Sequence, residues 1–115
     1  MLTERFEGSG LRIDTSFEAP DDLDTRHQIA IYHVAAEAVL NAYRHAGATK
    51  VEMTVAAGEH GVALDVVDDG VGLDPAARPG VGLQSMRERA DELGGTLTVE
   101  PGPAGRGTQV RMVLP

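Results

Sequence analysis

Cysteine and tryptophan are absent from this 115-residue chain, and aromatic residues account for only 3% of it. Without cysteine the chain can form no disulfide, no thiolate metal site and no cysteine nucleophile. Its core has to be built from aliphatic side chains, and a ligand site of stacked aromatic rings is not expected. No apolar run approaches the roughly 20 residues that a membrane-spanning helix needs, and the amino-terminal MLTERFEGSG lacks the pattern of a signal peptide. We therefore expect a soluble, cytoplasmic protein without direct membrane contact.

Basic residues are also scarce, because ten Lys and Arg stand against eighteen Asp and Glu, for a net charge of -8. A field of that sign repels polyanions, which argues against a nucleic-acid partner. Three catalytic signatures are missing as well: G-x-x-x-x-G-K-[ST] of P-loop nucleotide binders, H-E-x-x-H of zinc proteases and G-x-S-x-G of serine hydrolases. The length fits one compact domain spanning residues 1–115, which we expect to be a monomer.

The spacing of apolar residues divides the chain into predicted strands and helices. Period-two alternation predicts strands over residues 11–17, 51–55, 62–66, 96–100 and 107–114, and the tight connection at 58–61 joins the second and third into a hairpin. Three- and four-residue spacing that ends at glycine predicts helices over residues 25–46 and 81–93. The order β-α-β-β-α-β-β predicts an α/β two-layer sandwich, with both helices on one face of a mixed sheet of about five strands.

The first predicted helix carries two stripes of side chains with different chemistry. The apolar stripe, expected to face the core, consists of Ile29, Tyr32, Ala36, Val39, Leu40 and Tyr43. The polar stripe consists of His33, Glu37, Asn41, Arg44 and His45. A polar stripe faces either water or a ligand, and the helix alone favours water. As a ligand site, Glu37 and Asn41 would offer hard oxygens to a partly hydrated Mg2+, and Arg44 or His45 would contact phosphate oxygens.

Glycine is in excess, with fourteen residues against a usual share of about 7%, and three glycine segments stand at the ends of predicted elements. Asp68-Asp69-Gly70-Val71-Gly72 ends the third strand, where a carboxylate can accept from an exocyclic amine or simply satisfy local amides. Gly80-Val81-Gly82-Leu83 opens the second helix, whose first amides form a potential anion site. Gly105-Arg106-Gly107-Thr108 precedes the last strand, where a hairpin turn is the simpler interpretation. Residues 68–80 form the least regular stretch and are a candidate lid.

The order of these segments along the chain resembles the GHKL ATPase superfamily, which comprises histidine kinases, gyrase-type topoisomerases, the ninety-kilodalton heat-shock chaperone and MutL-type repair ATPases. The N box of that superfamily is similar to Glu37-Ala-Val-Leu-Asn41, and its three glycine boxes are similar to the three glycine segments. More narrowly, EAVLNAYRHAGA, GVGLQSMRERADELGGTLTVE and the closing VRMVLP resemble the ATP-binding domain of histidine kinases that serve NarL-type response regulators. The resemblance covers Leu11 to Pro115 and implies the Bergerat fold.

The resemblance implies roles for residues of the first helix and of the first glycine segment. Asp68 would accept a hydrogen bond from the adenine amino group, and Gly70 and Gly72 would line the adenine pocket. Asn41 would hold Mg2+, and Glu37 would sit beside it to polarise the reacting group.

The same resemblance implies contacts to the phosphates of ATP and to the pocket floor. Amides of the second glycine segment would cradle the phosphates, at Gly80, Val81, Gly82 and Leu83. Arg44 and His45 stand where such kinases often carry a basic phosphate contact. Gly107 and Thr108 would help to close the floor of the adenine pocket.

By this resemblance the chain is the Mg2+-ATP-binding catalytic domain of a two-component sensor histidine kinase. It would donate the γ-phosphoryl group to a histidine on a separate dimerisation and phosphoacceptor domain, and would act only indirectly on a NarL-type response regulator. No segment before Thr25 resembles those dimerisation helices, so the chain is not expected to phosphorylate itself. Two alternatives share the motifs: a serine kinase of the anti-sigma-factor type and a non-catalytic binding module. The GVGLQSMRERADELGG segment favours the histidine-kinase branch.

Overall fold

The computed structural model describes residues 10–19, 23–44, 47–58, 61–71, 81–103 and 105–115. The described part of the chain forms five strands and two helices. In chain order they are β1 (Arg12–Glu18), α1 (Thr25–Arg44), β2 (Lys50–Gly58), β3 (Gly61–Asp68), α2 (Val81–Glu92), β4 (Thr96–Pro101) and β5 (Thr108–Leu114). Every predicted element is present with bounds close to those expected. The predicted turn residues 59–60 and the last two predicted residues of the first helix, 45–46, lie outside the described residues.

The five strands form one mixed sheet in the order β1-β2-β3-β5-β4. β1 pairs with β2 in parallel, while the β2–β3, β3–β5 and β4–β5 pairs are antiparallel. Parallel pairing of β1 and β2 requires a crossover, and α1 supplies it. The predicted α/β fold class with a mixed five-stranded sheet is therefore confirmed.

Alternate residues of the three central strands form the core under the helices. The buried ones are Val51, Met53, Val55, Val62, Leu64, Val66, Val110, Met112 and Leu114, and Met86 and Ala90 of α2 join the same cluster. The intervening residues lie on the other face, where Arg111 donates to the Asp65 carboxylate at 2.9 Å. A sheet with one apolar and one charged face places both helices on the apolar side. Within the described ranges, neither helix combines the length and apolarity that crossing a bilayer requires.

The face that α1 turns to the sheet differs from the predicted one. Of the predicted apolar stripe only Val39 is buried, whereas Ile29, Tyr32 and Tyr43 are 47%, 53% and 46% exposed. The buried positions are instead Ala30, Ile31, Val34, Ala35, Ala38, Val39 and Ala42. The buried face of α1 is thus made of alanine, valine and isoleucine, and the two tyrosines lie outside it. The prediction was wrong for Ile29, Tyr32 and Tyr43, because the buried face follows the arc of alanine and valine, whereas Val39 is buried and Leu40 packs against the core.

Each helix has a defined end that the sequence supplies. At the start of α1, the Asp24 carboxylate accepts from the main-chain N–H of Arg26 at 2.7 Å, which is an N-cap, and this bond lowers the pKa of Asp24. At the end of α2, Gly94 and Gly95 donate to the carbonyls of Asp91 and Ala90 at 3.0 and 2.9 Å. That pair of bonds is a Schellman motif, and it turns the chain into β4.

We expect Gly95→Ala to destabilise the fold by about 2 kcal/mol, because overpacking of a closed site costs that order of free energy. A Cβ at this position would lie 2.4 Å from the carbonyl oxygen of Val113 and 2.7 Å from a Leu114 methyl carbon. Urea unfolding of the variant measures the loss. Gly58→Ala is the matched control, since a Cβ at Gly58 meets nothing within 4 Å. Equal stabilities of the two variants would contradict this account of the β4–β5 edge.

Candidate functional site

Three chain segments meet at one end of the sheet. β3 ends at Asp68 and β5 begins at Thr108, and these two residues are paired across the strands. β2 begins at the same end, since Val51 pairs with Asp68. Residues 47–49 connect the end of α1 to this point, and the N–H of Ala48 donates to the carbonyl of Ala42 at 3.2 Å. The first and third glycine segments and the carboxyl end of α1 therefore share one corner of the fold.

Asp68 continues the row of core-facing residues of β3, after Val62, Leu64 and Val66. Its side chain is half-buried, and one carboxylate oxygen accepts from the main-chain N–H of Gly70 at 2.9 Å. Burial raises the pKa of Asp68, although hydrogen bonds from the main chain of Gly70 and Thr108 oppose that shift. A partly dehydrated carboxylate with acceptor capacity left is suited to a donor group of a ligand.

An open cavity of about 580 Å³ lies at this corner. Its walls are Gly47 and Thr49 after α1, residues 69–71 after β3 and residues 105–107 before β5. Asp69 and Arg106 are the charged residues of that described lining, and most of the remaining wall is glycine. Glycine walls allow a ligand to approach the main chain closely. The volume falls within the range of small-molecule sites.

Thr108 and Gly107 form the closed side of this corner. Thr108 is only 7% exposed, and Gly107 has a φ of +70°. A Cβ at Gly107 would lie 1.8 Å from the main-chain carbonyl oxygen of Asp68 and 3.2 Å from its Oδ1. The 102–107 turn is closed by the N–H of Gly102, which donates to the carbonyl of Gly107 at 3.2 Å. Only glycine at position 107 lets the turn lie this close to Asp68.

The polar stripe of α1 is present, and its residues differ in exposure. Glu37 and Asn41 are half-buried, whereas His33 and Arg44 are exposed. Within the part of the chain that the structure describes, the side chains of Glu37 and Asn41 have no hydrogen-bond partner, so their oxygens are candidates for binding a ligand. Arg44 is the basic residue of the last turn, where a cation also stabilises the helix dipole.

These oxygens fit a magnesium ion that a nucleotide helps to hold. The described residues contain no group of three or more His, Asp and Glu that could hold a metal alone. Mg2+ usually takes one or two protein oxygens and completes its coordination with water and phosphate. An amide oxygen of Asn41 and a carboxylate of Glu37, one turn apart, satisfy that requirement.

The second glycine segment is only partly described. α2 begins at Val81, as predicted, with Gly82 in its first turn, and Leu83 is half-buried against the core. The free N–H groups of that first turn and the helix dipole favour an anion. His45 and residues 72–80, which include Gly72, Gly80 and most of the candidate lid, lie outside the described residues.

Asp69 has a structural role that the sequence analysis did not assign. Its carboxylate accepts from the N–H and hydroxyl of Thr49 at 2.8 and 2.7 Å and from the N–H of Lys50 at 3.0 Å. These bonds, that to Lys50 foremost, lower the pKa of Asp69 to about 2. No local pattern reveals the interaction, because the partners lie about twenty residues earlier in the chain and meet Asp69 only through β-sheet pairing.

Residues 26–115 match the sequence profile of a family described as histidine kinase-, DNA gyrase B- and HSP90-like ATPase. The matched region contains every element after β1, except the first residue of α1, and all residues of the corner described above. A match over most of the chain is enough to establish the family.

Solved structures give the same fold. The histidine kinase domain of the blue-light-activated kinase EL346 from Erythrobacter litoralis superposes with a TM-score of 0.82 at 20% identity, over 99% of this chain and 55% of that one. The ATP-binding domain of PrrB from Mycobacterium tuberculosis superposes with a TM-score of 0.70 at 24% identity, over 99% of this chain and 90% of that one. Full-length ShkA in complex with AMPPNP superposes with a TM-score of 0.75 at 24% identity, over 99% of this chain and 27% of that one. This chain thus spans about half of the first of these proteins.

Proposed function

Because this chain belongs to the family of histidine kinase-, DNA gyrase B- and HSP90-like ATPases, we propose that it is the Mg2+-ATP-binding catalytic domain of a two-component sensor histidine kinase. In this role it donates the γ-phosphoryl group of ATP to a histidine on a dimerisation and phosphoacceptor domain. The structural likeness to histidine kinase domains, one of them in complex with an ATP analogue, supports the proposal.

The half-buried carboxylate of Asp68 is the observation that carries this proposal. It lies directly before Asp69 and Gly70, which line the glycine-walled cavity, its pKa is raised by burial, and Gly107 packs against it without a side chain. An acceptor of this kind suits the amino group of adenine and disfavours the carbonyl oxygen that guanine presents at the corresponding position. The site would therefore select adenine nucleotides, with Gly70 and Gly72 beside the base and Thr108 beneath it.

The phosphates would extend from the adenine site toward α1 and the start of α2. Amides of Gly80, Val81, Gly82 and Leu83 would donate to phosphate oxygens, and Arg44 and His45 would add positive charge. Asn41 would hold Mg2+, which neutralises charge on the phosphates when bound. Glu37 would polarise the reacting group. Phosphoryl transfer depends mainly on position and charge, and these residues supply both without a covalent intermediate on this chain.

The partners follow from the same proposal. ATP and the phosphoacceptor domain of the parent kinase would contact this chain directly. A NarL-type response regulator would depend on it only through that second domain, as the closing VRMVLP and the GVGLQSMRERADELGG segment suggest. ATP as the donor places the domain in the cytoplasm, where it would act as a monomer without contact to nucleic acid or membrane.

Calorimetric titration of the chain with ATP, ADP and GTP, each with and without Mg2+, tests the proposed function. We expect saturable binding that prefers adenine over guanine and that Mg2+ strengthens for ATP. A phosphoacceptor domain supplied in trans should then gain an acid-labile phosphoryl group. Absence of binding at millimolar nucleotide, or transfer to serine in place of histidine, would contradict the proposal.

Replacement of Asn41 by Ala should remove the gain in ATP affinity that Mg2+ provides, which we expect to be about tenfold. Affinity without Mg2+ should stay unchanged, because the adenine site keeps Asp68. Titrations of the variant at several Mg2+ concentrations measure the difference. His33→Ala is the matched control, since His33 lies on the same stripe two turns earlier and is exposed. A normal Mg2+ response in the Asn41 variant would exclude this residue as the ligand.

A further inference from the structure

The carboxylate of Asp69 occupies the place of a main-chain carbonyl at the end of the β2–β3 ladder. The ladder pairs Val51 with Asp68, and the N–H of Asp69 still donates to the carbonyl of Lys50 at 3.2 Å. The returning bond is different, because the N–H of Lys50 donates to Oδ1 of the Asp69 side chain at 3.0 Å. The main chain after Asp69 is thereby released from the sheet and can turn into the glycine segment.

The same carboxylate holds the connection between α1 and β2. Thr49 donates its N–H to Oδ1 at 2.8 Å and its hydroxyl to Oδ2 at 2.7 Å. On its other side, the carbonyl of Thr49 accepts from the N–H of Arg12 at 2.9 Å, which ties it to β1. Ala48, one residue earlier, donates to the carbonyl of Ala42 in α1. Thr49 is thus fixed to the sheet, to the helix end and to the glycine segment.

Asp69 acts through amides and a hydroxyl and not through an ion pair. The Lys50 ammonium group turns away from it and pairs with Glu52 at 2.9 Å and with Asp14 at 3.8 Å. The three bonds of Asp69 are charge-assisted, and such bonds are the stronger and more directional kind. The side chain of Asp69 is exposed, so it contributes little to stability through burial. Its contribution is to fix the positions of Thr49 and Lys50 through these bonds.

We propose that Asp69 is a positioning residue for the nucleotide site: its carboxylate, bound to Thr49 and Lys50, holds two walls of the cavity at a fixed separation. These walls are the connection at residues 47–49 and the segment at residues 69–71, both of which line the cavity. This inference rests on the proposed function. Asp68 is covalently joined to one wall and α1 to the other, so the Asp69 bonds fix the adenine acceptor relative to the helix that carries Asn41. With a pKa of about 2, the carboxylate stays ionised throughout the physiological range.

The test compares Asp69→Ala, Thr49→Val and Thr49→Ser, with ATP and adenosine as the titrants. Asp69→Ala should raise the dissociation constant for ATP about tenfold, and Thr49→Val about threefold, because it loses only the hydroxyl donor. Thr49→Ser keeps that donor and should bind like the unchanged chain. The affinities for ATP and for adenosine should both fall, because the displaced wall adjoins the proposed adenine site.

Asp65→Asn is the matched control for loss of a structural carboxylate. Asp65 accepts from Arg111 and Gln109 on the outer face of the sheet, away from the cavity. This variant should melt at a lower temperature and bind ATP with unchanged affinity. The Asp69→Ala variant should show weaker binding at temperatures where it is fully folded.

The possible outcomes separate this inference from the proposed function. Absence of ATP binding by the unchanged chain overturns both. Normal ATP binding by the unchanged chain and by folded Asp69→Ala overturns the positioning role alone and leaves the proposed function intact. If Asp69→Ala does not fold, the comparison of Thr49→Val with Thr49→Ser decides, and equal affinity of those two variants overturns the positioning role.

Discussion

The chain with Asp68→Asn is expected to bind ATP about 10- to 100-fold more weakly than the unchanged chain, the range that loss of a charged hydrogen-bond partner produces. One carboxylate oxygen already accepts from the N–H of Gly70, and an ionised carboxylate has acceptor capacity left for a ligand. An amide in its place has no charge and presents an NH2 group to the amino group of adenine. Calorimetry with ATP and adenosine measures the loss, which should be of equal size for both. Equal affinity of variant and unchanged chain would exclude Asp68 as the adenine acceptor.

The pH dependence of ATP affinity, compared between the unchanged chain and the Asp68→Asn variant, gives a second test of the role of Asp68. Burial raises the pKa of Asp68, so protonation begins at a higher pH than for an ordinary aspartate, and a protonated carboxyl is a weaker acceptor. The affinity of the unchanged chain should therefore fall as the pH is lowered toward that raised pKa. At low pH the ATP affinity of the unchanged chain should approach that of the Asp68→Asn variant. Protonation of ATP itself affects both proteins equally and therefore cancels in the ratio of the two affinities.

Stability should respond to Asp68 in the opposite sense to binding. A carboxyl whose pKa is higher in the folded than in the unfolded state destabilises the fold while it is ionised. That penalty is present above the folded pKa and is relieved as the pH falls through it. Asp68→Asn should thus melt no lower than the unchanged chain at neutral pH. A variant that both binds weakly and unfolds easily would indicate a structural role for Asp68.

Gly107→Ala is expected to destabilise the protein by about 3 kcal/mol or more, because it combines backbone strain with a steric overlap. The φ of +70° disfavours any side chain, and the added Cβ would lie 1.8 Å from the carbonyl oxygen of Asp68. Urea unfolding measures the loss, and ATP binding by the remaining folded protein should be weak, since Asp68 has to move.

Gly105→Ala provides the control for the Gly107 variant. Gly105 has a similar φ of +76°, but a Cβ there meets nothing within 4 Å. The Gly105→Ala variant should lose only the cost of a left-handed backbone, about 1 to 2 kcal/mol of stability. Similar effects of the two substitutions would show that backbone strain alone, and not the approach to Asp68, sets the requirement for glycine.

The local sequence pattern was sufficient to predict the strands and the ends of the helices. Period-two alternation in β2 and β3 places Val51 and Val62 on the buried face, and the structure confirms this. Glycine at 94 and 95 ends α2 as expected. Those features depend on residues close together in the chain, and for that reason the sequence reveals them.

Two features of the structure could not be predicted from the local sequence pattern. The exposure of Tyr32 and the burial of Ala38 depend on how close α1 lies to the sheet, which is a property of packing and not of spacing along the helix. The bonds from Asp69 to Thr49 depend on strand pairing across about twenty residues. In both cases the deciding partner is distant in sequence, so local propensity and motif spacing carry no information about it.

The alanine-rich face of α1 would influence the distance between Asp68 and the polar residues of α1 in the proposed nucleotide site. Ala35, Ala38 and Ala42 are buried on the face of α1 that packs against the core, and Glu37 and Asn41 belong to the same helix. A larger side chain at any of those buried alanines would overpack the core, displace the helix and shift the oxygens of Glu37 and Asn41 relative to Asp68. In the proposed nucleotide site, the buried alanines of α1 would therefore influence the distance between the residues proposed for the two ends of the nucleotide.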